Sequence, residues 1–287
     1  MSDPAKKGTV KDLLHRYDFL IRKKFGQNFL VREDILDGIV EASGVTKEDF
    51  VLEIGPGLGT LTRRLSAAAR RVVAVEIDGD LLPILEETLS DCGNASVLRQ
   101  DILKTDLEEL IQKENDGKPI AVVANLPYYI TTPILMKLLT TGLPVKSATV
   151  MLQKEVAQRM TAGPGRKEYG ALSLAVQYYT EPVIVMKVMP EAFFPRPKVE
   201  SAVIRLTKRE TPPVEVTDEK LLFRLIRSSF NHRRKTLANA LLTENAEGWT
   251  RETVQGFLEE AGLAPMVRGE AMTLEEFARL TNVIRGI

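Results

Sequence analysis

The stretch FVLEIGPGLGT, residues 50–60, changes character in its middle. Its first five residues are mostly apolar, which is typical of a short buried strand. Gly55, Gly57 and Gly59 follow and lead into an amphipathic pattern that predicts a helix. Glycine tolerates positive φ angles and lets a ligand approach the backbone closely. We therefore expect a ligand-binding loop here, with the three glycines in contact with a cofactor.

Strand and helix patterns alternate on the C-terminal side of this loop. We predict further strands in residues 70–78, 96–101, 119–125, 147–153, 181–188 and 199–206. Helical patterns separate the first five strands of the chain, which favours a parallel sheet with helices on both faces. The last two runs have no obvious helix between them. The predicted fold is therefore a Rossmann-like α/β sheet, mostly parallel, with an antiparallel strand near its end.

The composition changes near residues 208–220, KRETPPVEVTDEK, where two prolines and mixed charge mark a linker. The pattern that follows is helical. We expect one domain over 1–208, including an N-terminal extension over 1–20, and a smaller helical domain over 209–287.

The composition is that of an ordinary globular protein, with 287 residues, 44% apolar and 27% charged. The formal net charge is zero, so the overall balance argues neither for nor against a nucleic-acid partner. The apolar runs are shorter than a membrane span, and the N-terminus lacks the apolar core of a secretory signal peptide. One cysteine and two histidines argue against a disulfide and a zinc site. We expect a cytoplasmic protein without a metal.

Acidic residues lie at the ends of the second and third predicted strands, at the same edge of the sheet. Glu76 lies about 20 residues after Gly55, where a carboxylate can accept hydrogen bonds from ribose hydroxyls. Asp101 is placed to accept a hydrogen bond from the exocyclic amine of a purine. Together with the glycine loop, these acids predict an adenosine-containing cofactor. The G-x-G-x-G spacing favours S-adenosylmethionine over NAD.

The fourth predicted strand ends at this edge in Asn125, Leu126, Pro127 and Tyr128. This sequence resembles the amino-group methyltransferase signature (D/N/S)-(P/L)-P-(Y/F/W). The Asn125 side-chain oxygen and the Leu126 carbonyl can accept the two hydrogens of an amine, and Pro127 fixes the backbone between them. Tyr128 can stack on a base that has left its helical stack.

A second aromatic face is expected from the stretch AFFPRPKVES, residues 192–201. Its candidates are Phe193 and Phe194. An isolated pair of phenylalanines is more often part of a core. Because this chain also carries the motif of residues 125–128, we expect one of the two phenylalanines to contact the substrate base.

From about residue 15 to its C-terminus the chain resembles the ribosomal RNA adenine dimethyltransferase family, in particular its bacterial small-subunit branch. The matching motifs, in order, are RKKFGQNFL (22–30), EIGPGLGTLT (53–62), VEID (75–78), QDIL (100–103), NLPYYI (125–130), FFPRPKVESAV (193–203) and FNHRRKTLANAL (230–241).

The resemblance implies a class I methyltransferase fold, S-adenosyl-L-methionine as methyl donor, and formation of N6,N6-dimethyladenosine. In the family, the substrate is a pair of adjacent adenosines in the 3′-terminal hairpin loop of 16S rRNA within the immature 30S subunit. By the family pattern, Asn28 and Leu30 line the cofactor site and Phe193 is the stacking residue. Neighbouring candidates for cofactor contact are Gln27, Ile77 and Ile102. We expect a monomer.

Basic residues cluster in several short stretches, which could form a basic face on a neutral protein. The candidates for rRNA phosphate contacts are Arg22, Lys23, Lys24, Arg196, Lys198, Arg233, Arg234 and Lys235. The cluster HRRK, residues 232–235, is predicted to open an amphipathic helix. Phosphate contacts of this kind would give a salt-dependent affinity without reading sequence.

Two alternative functions stay open. One is a 23S rRNA methyltransferase of the macrolide-resistance type, which shares these motifs, although the long C-terminal region argues against it. The other is an RNA-binding assembly factor that has lost catalysis. The presence of Glu76, Asp101, Asn125 and Tyr128 argues for an active enzyme.

Overall fold

The computed structural model describes residues 7–22, 25–244 and 248–286. The chain divides into two compact units, each with an apolar core of its own. The first unit comprises Met1–Ala157 and Pro182–Lys208, and the second comprises Gln158–Glu181 and Arg209–Ile287.

Nine strands lie in the described ranges: β1 (Phe29–Leu30), β2 (Phe50–Ile54), β3 (Arg71–Glu76), β4 (Ala95–Arg99), β5 (Ile120–Asn125), β6 (Val145–Gln153), β7 (Thr180–Val188), β8 (Phe193–Phe194) and β9 (Ser201–Lys208). Seven of them form one sheet in the order β4-β3-β2-β5-β6-β9-β7. The first five strands of this sheet pair in parallel, and β9 pairs antiparallel with β6. The predicted sheet, mostly parallel with an antiparallel strand, is confirmed.

The helices are α1 (Lys7–Arg16), α2 (Glu33–Ser43), α3 (Thr60–Ala68), α4 (Leu82–Thr88), α5 (Leu107–Asn115), α6 (Thr131–Thr140), α7 (Lys154–Thr161), α8 (Ala171–Tyr179), α9 (Glu219–Asn231), α10 (Leu237–Thr243), α11 (Arg251–Glu260) and α12 (Leu274–Arg285). Apolar residues at helical spacing drive their packing. In α2, for example, Leu36 and Ile39 are fully buried in one cluster with Val51 and Val123 of the sheet. Within the described ranges, no helix is both long and apolar enough to cross a membrane.

Two very short strands, β1 and β8, form a separate antiparallel pair. Leu30 lies opposite Phe193, and Phe29 lies opposite Phe194. A pattern of two residues is too short to predict a strand from periodicity. This pairing brings the motif of residues 22–30 against the motif of residues 193–203.

The second unit differs from the predicted helical domain because it includes residues 158–181. Within this segment Tyr169, Leu174 and Tyr178 are buried in one cluster with residues of α9 to α12. The Tyr169 hydroxyl donates a hydrogen bond of 2.7 Å to the Met272 carbonyl. The predicted boundary after residue 208 coincides with a change of unit, but the segment 158–181 belongs with the helices that follow it.

The cluster HRRK does not open a helix. Helix α9 ends at Asn231, a turn follows, and α10 starts only at Leu237. Thr236 caps α10, because its side chain accepts a hydrogen bond from the Asn239 N–H. Residues 232–235 therefore lie in the turn between two helices and not at the start of one.

The Tyr169 hydrogen bond gives a test of the assignment of residues 158–181 to the second unit. Replacing Tyr169 by Phe leaves a buried carbonyl without its donor, and we expect a loss of about 1–3 kcal/mol in the free energy of unfolding. Thermal and urea unfolding measure this. Tyr17→Phe is the control, since the Tyr17 hydroxyl bonds Glu87 near the surface and its loss should change Tm little. A Tyr169→Phe protein as stable as the wild type would contradict the packing of this segment.

Candidate functional site

A cavity opens in the first unit at the carboxyl ends of β2, β3 and β5, where ligands bind in sheets of this class. Most of the predicted site residues line it. They are Gln27, Asn28, Leu30, Gly55, Gly57, Glu76, Ile77, Asp101, Ile102, Asn125, Leu126, Pro127 and Tyr128. Gly59 and Phe193 were predicted for the site but are not among the lining residues.

The glycine loop requires glycine for two different reasons. Gly55 and Gly57 have φ angles of 70° and 57° and border the cavity. A Cβ on Gly57 would lie 3.2 Å from the Phe29 ring, so the loop packs tightly against the motif of residues 22–30. Gly59 also has a positive φ angle, 79°, and close packing is a second reason for glycine there, because a Cβ would lie 2.9 Å from Thr88 at the end of α4. The cofactor contact of Gly59 stays a prediction, at a position that packs against α4 and is not among the residues lining the cavity.

Glu76 ends β3 as predicted and is almost fully buried. Its carboxylate accepts hydrogen bonds from the backbone N–H of Asp78 at 2.8 Å and of Gly57 at 3.4 Å. Burial raises the pKa of Glu76 to about 7, against the opposing effect of these hydrogen bonds. The carboxylate thus joins the end of β3 to the glycine loop.

Glu53 is a site residue that the sequence analysis missed. It interrupts the apolar strand β2, lines the cavity and is 1% exposed. Within the described part of the chain its Oε2 has no hydrogen-bond partner. Burial, with the Glu76 carboxylate nearby, raises the pKa of Glu53 to about 8. A charged residue in an otherwise apolar strand, two residues before a glycine turn, was the indication available in the sequence.

The cavity is acidic. Glu53, Glu76 and Asp101 line it, and among the described residues around it there is no lysine, arginine or histidine. Such a lining suits a cationic ligand and disfavours the pyrophosphate of a dinucleotide. Ile77, 43% exposed, and Ile102 add apolar surface. An acidic cavity with an unpartnered buried carboxylate oxygen fits the sulfonium and ammonium charges of S-adenosylmethionine. No cluster of His, Cys, Asp and Glu within the described ranges could hold a metal ion.

Arg22 is part of the scaffold of this site. Its guanidinium pairs with Asp80 and, at 3.1 Å, with the buried Asp78. Gln27 donates a hydrogen bond of 2.7 Å to Asp78 and accepts one of 2.8 Å from the Arg22 N–H. The rRNA contact of Arg22 stays a prediction, and in the structure its guanidinium is paired with these two carboxylates. Gln27 borders the cavity, but its amide is engaged in this network.

The end of β5 is held in place from both sides. The Leu126 N–H donates to the Met151 carbonyl at 2.9 Å, which continues the pairing of β5 with β6. The Asn125 amide nitrogen donates to the Asn28 carbonyl at 3.3 Å, and the Asn28 amide nitrogen donates to Gly26 at 2.9 Å. With its nitrogen engaged, the Asn125 amide offers its oxygen to a ligand.

Both tyrosines that follow Pro127 border the cavity. Tyr128 is half-buried, and its hydroxyl is 2.6 Å from the Ser201 hydroxyl. Ser201 starts β9 within the motif of residues 193–203, so this contact joins two sequence motifs. Tyr129 is 53% exposed and was missed, although the doubled tyrosine was visible in the sequence.

Phe193 does not present its ring to the cavity. It is 3% exposed and packs in the core cluster with Leu30 and Val203. Phe194, the reserve candidate, packs beside α1, with the Lys11 ammonium 5.5 Å from its ring centroid. Phe193 was predicted to stack on the substrate base, but the structure places its side chain in the core, because the pairing of β1 with β8 turns it inward.

In the first unit, the remaining predicted rRNA contacts are only partly available. Lys198 is exposed. Arg196 is also exposed and pairs with Glu191. Lys23 and Lys24 lie outside the described residues.

In the second unit, the predicted rRNA contacts lie in the turn before α10. Arg233 pairs with Glu270 at 2.7 Å, and the Lys235 ammonium donates to the Thr243 hydroxyl at 2.9 Å. Arg234 is exposed and forms no ion pair within the described ranges. Exposed pairs of this kind are weak and can exchange for phosphate.

The chain matches known proteins over nearly its whole length. The family model for ribosomal RNA adenine dimethylase matches residues 18–285. A relative from Lachnoclostridium phytofermentans, named Ribosomal RNA small subunit methyltransferase A, is 54% identical over 99% of this chain and 97% of its own length. A relative of the same name from Oceanobacillus iheyensis is 51% identical over 95% of this chain and 93% of its own.

Solved structures agree with this match. A dimethyladenosine transferase from Plasmodium falciparum has a TM-score of 0.75 at 27% identity, over 90% of this chain and 98% of its own. The 23S rRNA methyltransferase ErmE has a TM-score of 0.69 at 30% identity, over 89% of this chain and 98% of its own. The fold, the motifs and the extent of these matches establish that the chain belongs to the ribosomal RNA adenine dimethylase family.

Proposed function

We propose that this protein dimethylates N6 of two adjacent adenosines in the 3′-terminal hairpin loop of 16S rRNA during assembly of the 30S subunit. The observation that carries the proposal is the placement of Asn125 and Tyr128 at the rim of an acidic cavity. This geometry supports our proposal that an amine acceptor site lies beside a site for a cationic methyl donor. The small-subunit methyltransferases at 54% and 51% identity favour 16S rRNA over the 23S rRNA substrate named for ErmE at 30%.

The methyl donor is S-adenosyl-L-methionine, which supplies an electrophilic methyl group when bound. In our proposal Glu76 accepts hydrogen bonds from its ribose, and Asp101 accepts one from its adenine amine. Ile77 and Ile102 provide apolar contact for the adenine ring. Glu53 offers its unpartnered oxygen to the ammonium group.

The target amine is a poor nucleophile because its lone pair is delocalised into the adenine ring. We infer that the Asn125 Oδ1 and the Leu126 carbonyl accept its two hydrogens and localise the lone pair on N6. Pro127 holds the backbone so that the carbonyl and the amide converge. The methylated amine releases one proton to water, so no strong general base is required.

The base must be unstacked to enter the site. Tyr128 is the side chain we propose to stack on it, because its ring borders the cavity and its hydroxyl is fixed by Ser201. Lys198, Arg234 and Lys235 are the exposed cations we assign to rRNA phosphates. We further propose that the enzyme acts as a monomer in the cytoplasm, on a 30S particle and not on free RNA.

The proposed function is tested by methyl transfer from labelled S-adenosylmethionine to 30S subunits that lack these modifications, with free 16S rRNA and 50S subunits in parallel. We expect dimethyladenosine at adjacent sites in 30S particles only. Asn125→Ala should lower kcat by about 100-fold or more, because it removes an acceptor used in the transition state. Labelling of 50S RNA would indicate the resistance-type activity. No transfer, with cofactor binding intact, would indicate an assembly factor.

The aromatic assignment gives a second prediction. Tyr128→Ala should lower kcat/KM by about 10- to 100-fold, since stacking contributes about 1–3 kcal/mol per base. Tyr128→Phe keeps the ring and should retain most activity. Phe193→Leu should lower Tm and leave kcat/KM near that of the wild type, because Phe193 is part of the core. Loss of activity in Phe193→Leu without loss of Tm would instead support its role as the stacking residue.

The two buried carboxyls predict a dependence on pH. Between pH 4.5 and about 8 the folded protein retains a proton on Glu53 that the unfolded chain releases, so stability falls as pH rises through this window. We expect Glu53→Gln to be more stable than the wild type at pH 8, by several degrees in Tm, and similar to it near pH 4.5.

Cofactor affinity should change in the opposite direction. A cation binds the ionised carboxylates, so wild-type affinity for S-adenosylmethionine should weaken as the pH falls from about 8 to 6. Glu53→Gln should bind more weakly at pH 8 and vary less with pH. Isothermal titration calorimetry at several pH values measures both. A pH-independent affinity in the wild type would contradict ionisation of these groups on binding.

A further inference from the structure

One lysine of α6 is bonded to the turn on the proposed adenine side of the cavity. The Lys137 ammonium in α6 donates three hydrogen bonds to backbone carbonyls, those of Ile102 at 3.0 Å, Leu103 at 3.0 Å and Thr105 at 2.6 Å. An ammonium group has three donors, so these contacts satisfy all of them. All three donors of the side chain are thus bonded to one backbone turn, residues 102–105.

This turn carries the adenine side of the proposed cofactor site. It follows Asp101, and both Asp101 and Ile102 line the cavity. The Asp101 carboxylate accepts a hydrogen bond from the Leu103 N–H at 3.0 Å. The backbone carbonyl of Asp101 accepts hydrogen bonds from the N–H groups of Lys104 and Thr105, each at 2.9 Å. These bonds close the turn on itself, whereas the Lys137 bonds attach it to a helix of the first unit.

The other end of the same helix holds the amine-binding motif. Thr131, the first residue of α6, donates from its hydroxyl to the Pro127 carbonyl at 3.0 Å. Lys137 lies six residues further on, about 9 Å along a helix that rises 1.5 Å per residue. Helix α6 therefore contacts the motif of residues 125–128 at its start and, fewer than two helical turns later, the turn on the adenine side.

We propose that Lys137 is a positioning residue that fixes the turn of residues 101–105 in its cofactor-binding conformation by attaching it to α6. The proposal rests on the proposed cofactor site. Charge-assisted bonds to three carbonyls are stronger than neutral ones and restrain the turn from the outside. Without them the turn must be ordered by the cofactor, which lowers the apparent affinity.

Calorimetry on the full-length protein with S-adenosylmethionine and S-adenosylhomocysteine tests this. Lys137→Met should raise the Kd of both ligands by the same factor, about tenfold, because both carry the adenosine that the turn contacts. KM for S-adenosylmethionine should rise in parallel, with kcat at saturating cofactor unchanged. Lys137→Arg should recover most of the affinity, since a guanidinium can donate to the same carbonyls.

Lys208→Met is the matched control. The Lys208 ammonium also donates to a carbonyl of the first unit, that of Leu143 at 3.0 Å, but neither residue lines the cavity. Its Kd values should equal those of the wild type. Thr131→Val, at the other end of α6, should lower kcat and leave Kd unchanged.

Asp101→Ala distinguishes the two proposals. If Asp101→Ala weakens binding and Lys137→Met lowers only Tm, the positioning role is overturned and the cofactor site stands. If the wild type binds neither ligand, or Asp101→Ala binds as well as the wild type, the cofactor site is overturned and the role of Lys137 with it.

Discussion

The register of β2 against its two parallel neighbours, β3 and β5, is the constraint on which the site depends. Glu53 lies opposite Ala74 of β3 and Val123 of β5. Glu76 and Asn125 each follow two positions later on those strands. Because side chains alternate along a strand, all three polar groups share one face at the carboxyl edge of the sheet. A slip of one residue in either pairing would turn one strand's polar group to the opposite face and remove it from the cavity.

Gathering these groups at one edge has a cost in stability. Glu53 and Glu76 are buried, and their carboxyls are held away from water, which is why their pKa values rise to about 8 and about 7. A core built for stability alone would place apolar residues there. In our proposal, the unpartnered oxygen of Glu53 is instead a preorganised acceptor for the cationic cofactor. Functional sites commonly carry such locally unfavourable groups, and the surrounding packing offsets them.

Local patterns predicted much of this arrangement, and the exceptions share one feature. The parallel strands, the glycine turn and the amine-binding motif were predicted from stretches of about ten residues or fewer. Phe193, Arg22 and residues 158–181 were placed differently by the structure. Each of these depends on a partner far along the chain: Leu30 across the β1–β8 pair, Asp78 just after β3, and the helices after residue 209. Gly59 belongs to the same group, since its contact is with α4.

The sequence by itself determined which chemistry is available at this site. Strand period, glycine turns and the order of the motifs are properties of neighbouring residues, and they place the acids and the Asn125 motif at one edge of a parallel sheet. The tertiary structure decided which of those groups are free to act. It buried Phe193, neutralised Arg22, exposed Tyr129 and committed Lys137 to a turn more than thirty residues away. Exposure and pairing depend on packing between distant segments, and a one-dimensional pattern does not contain that information.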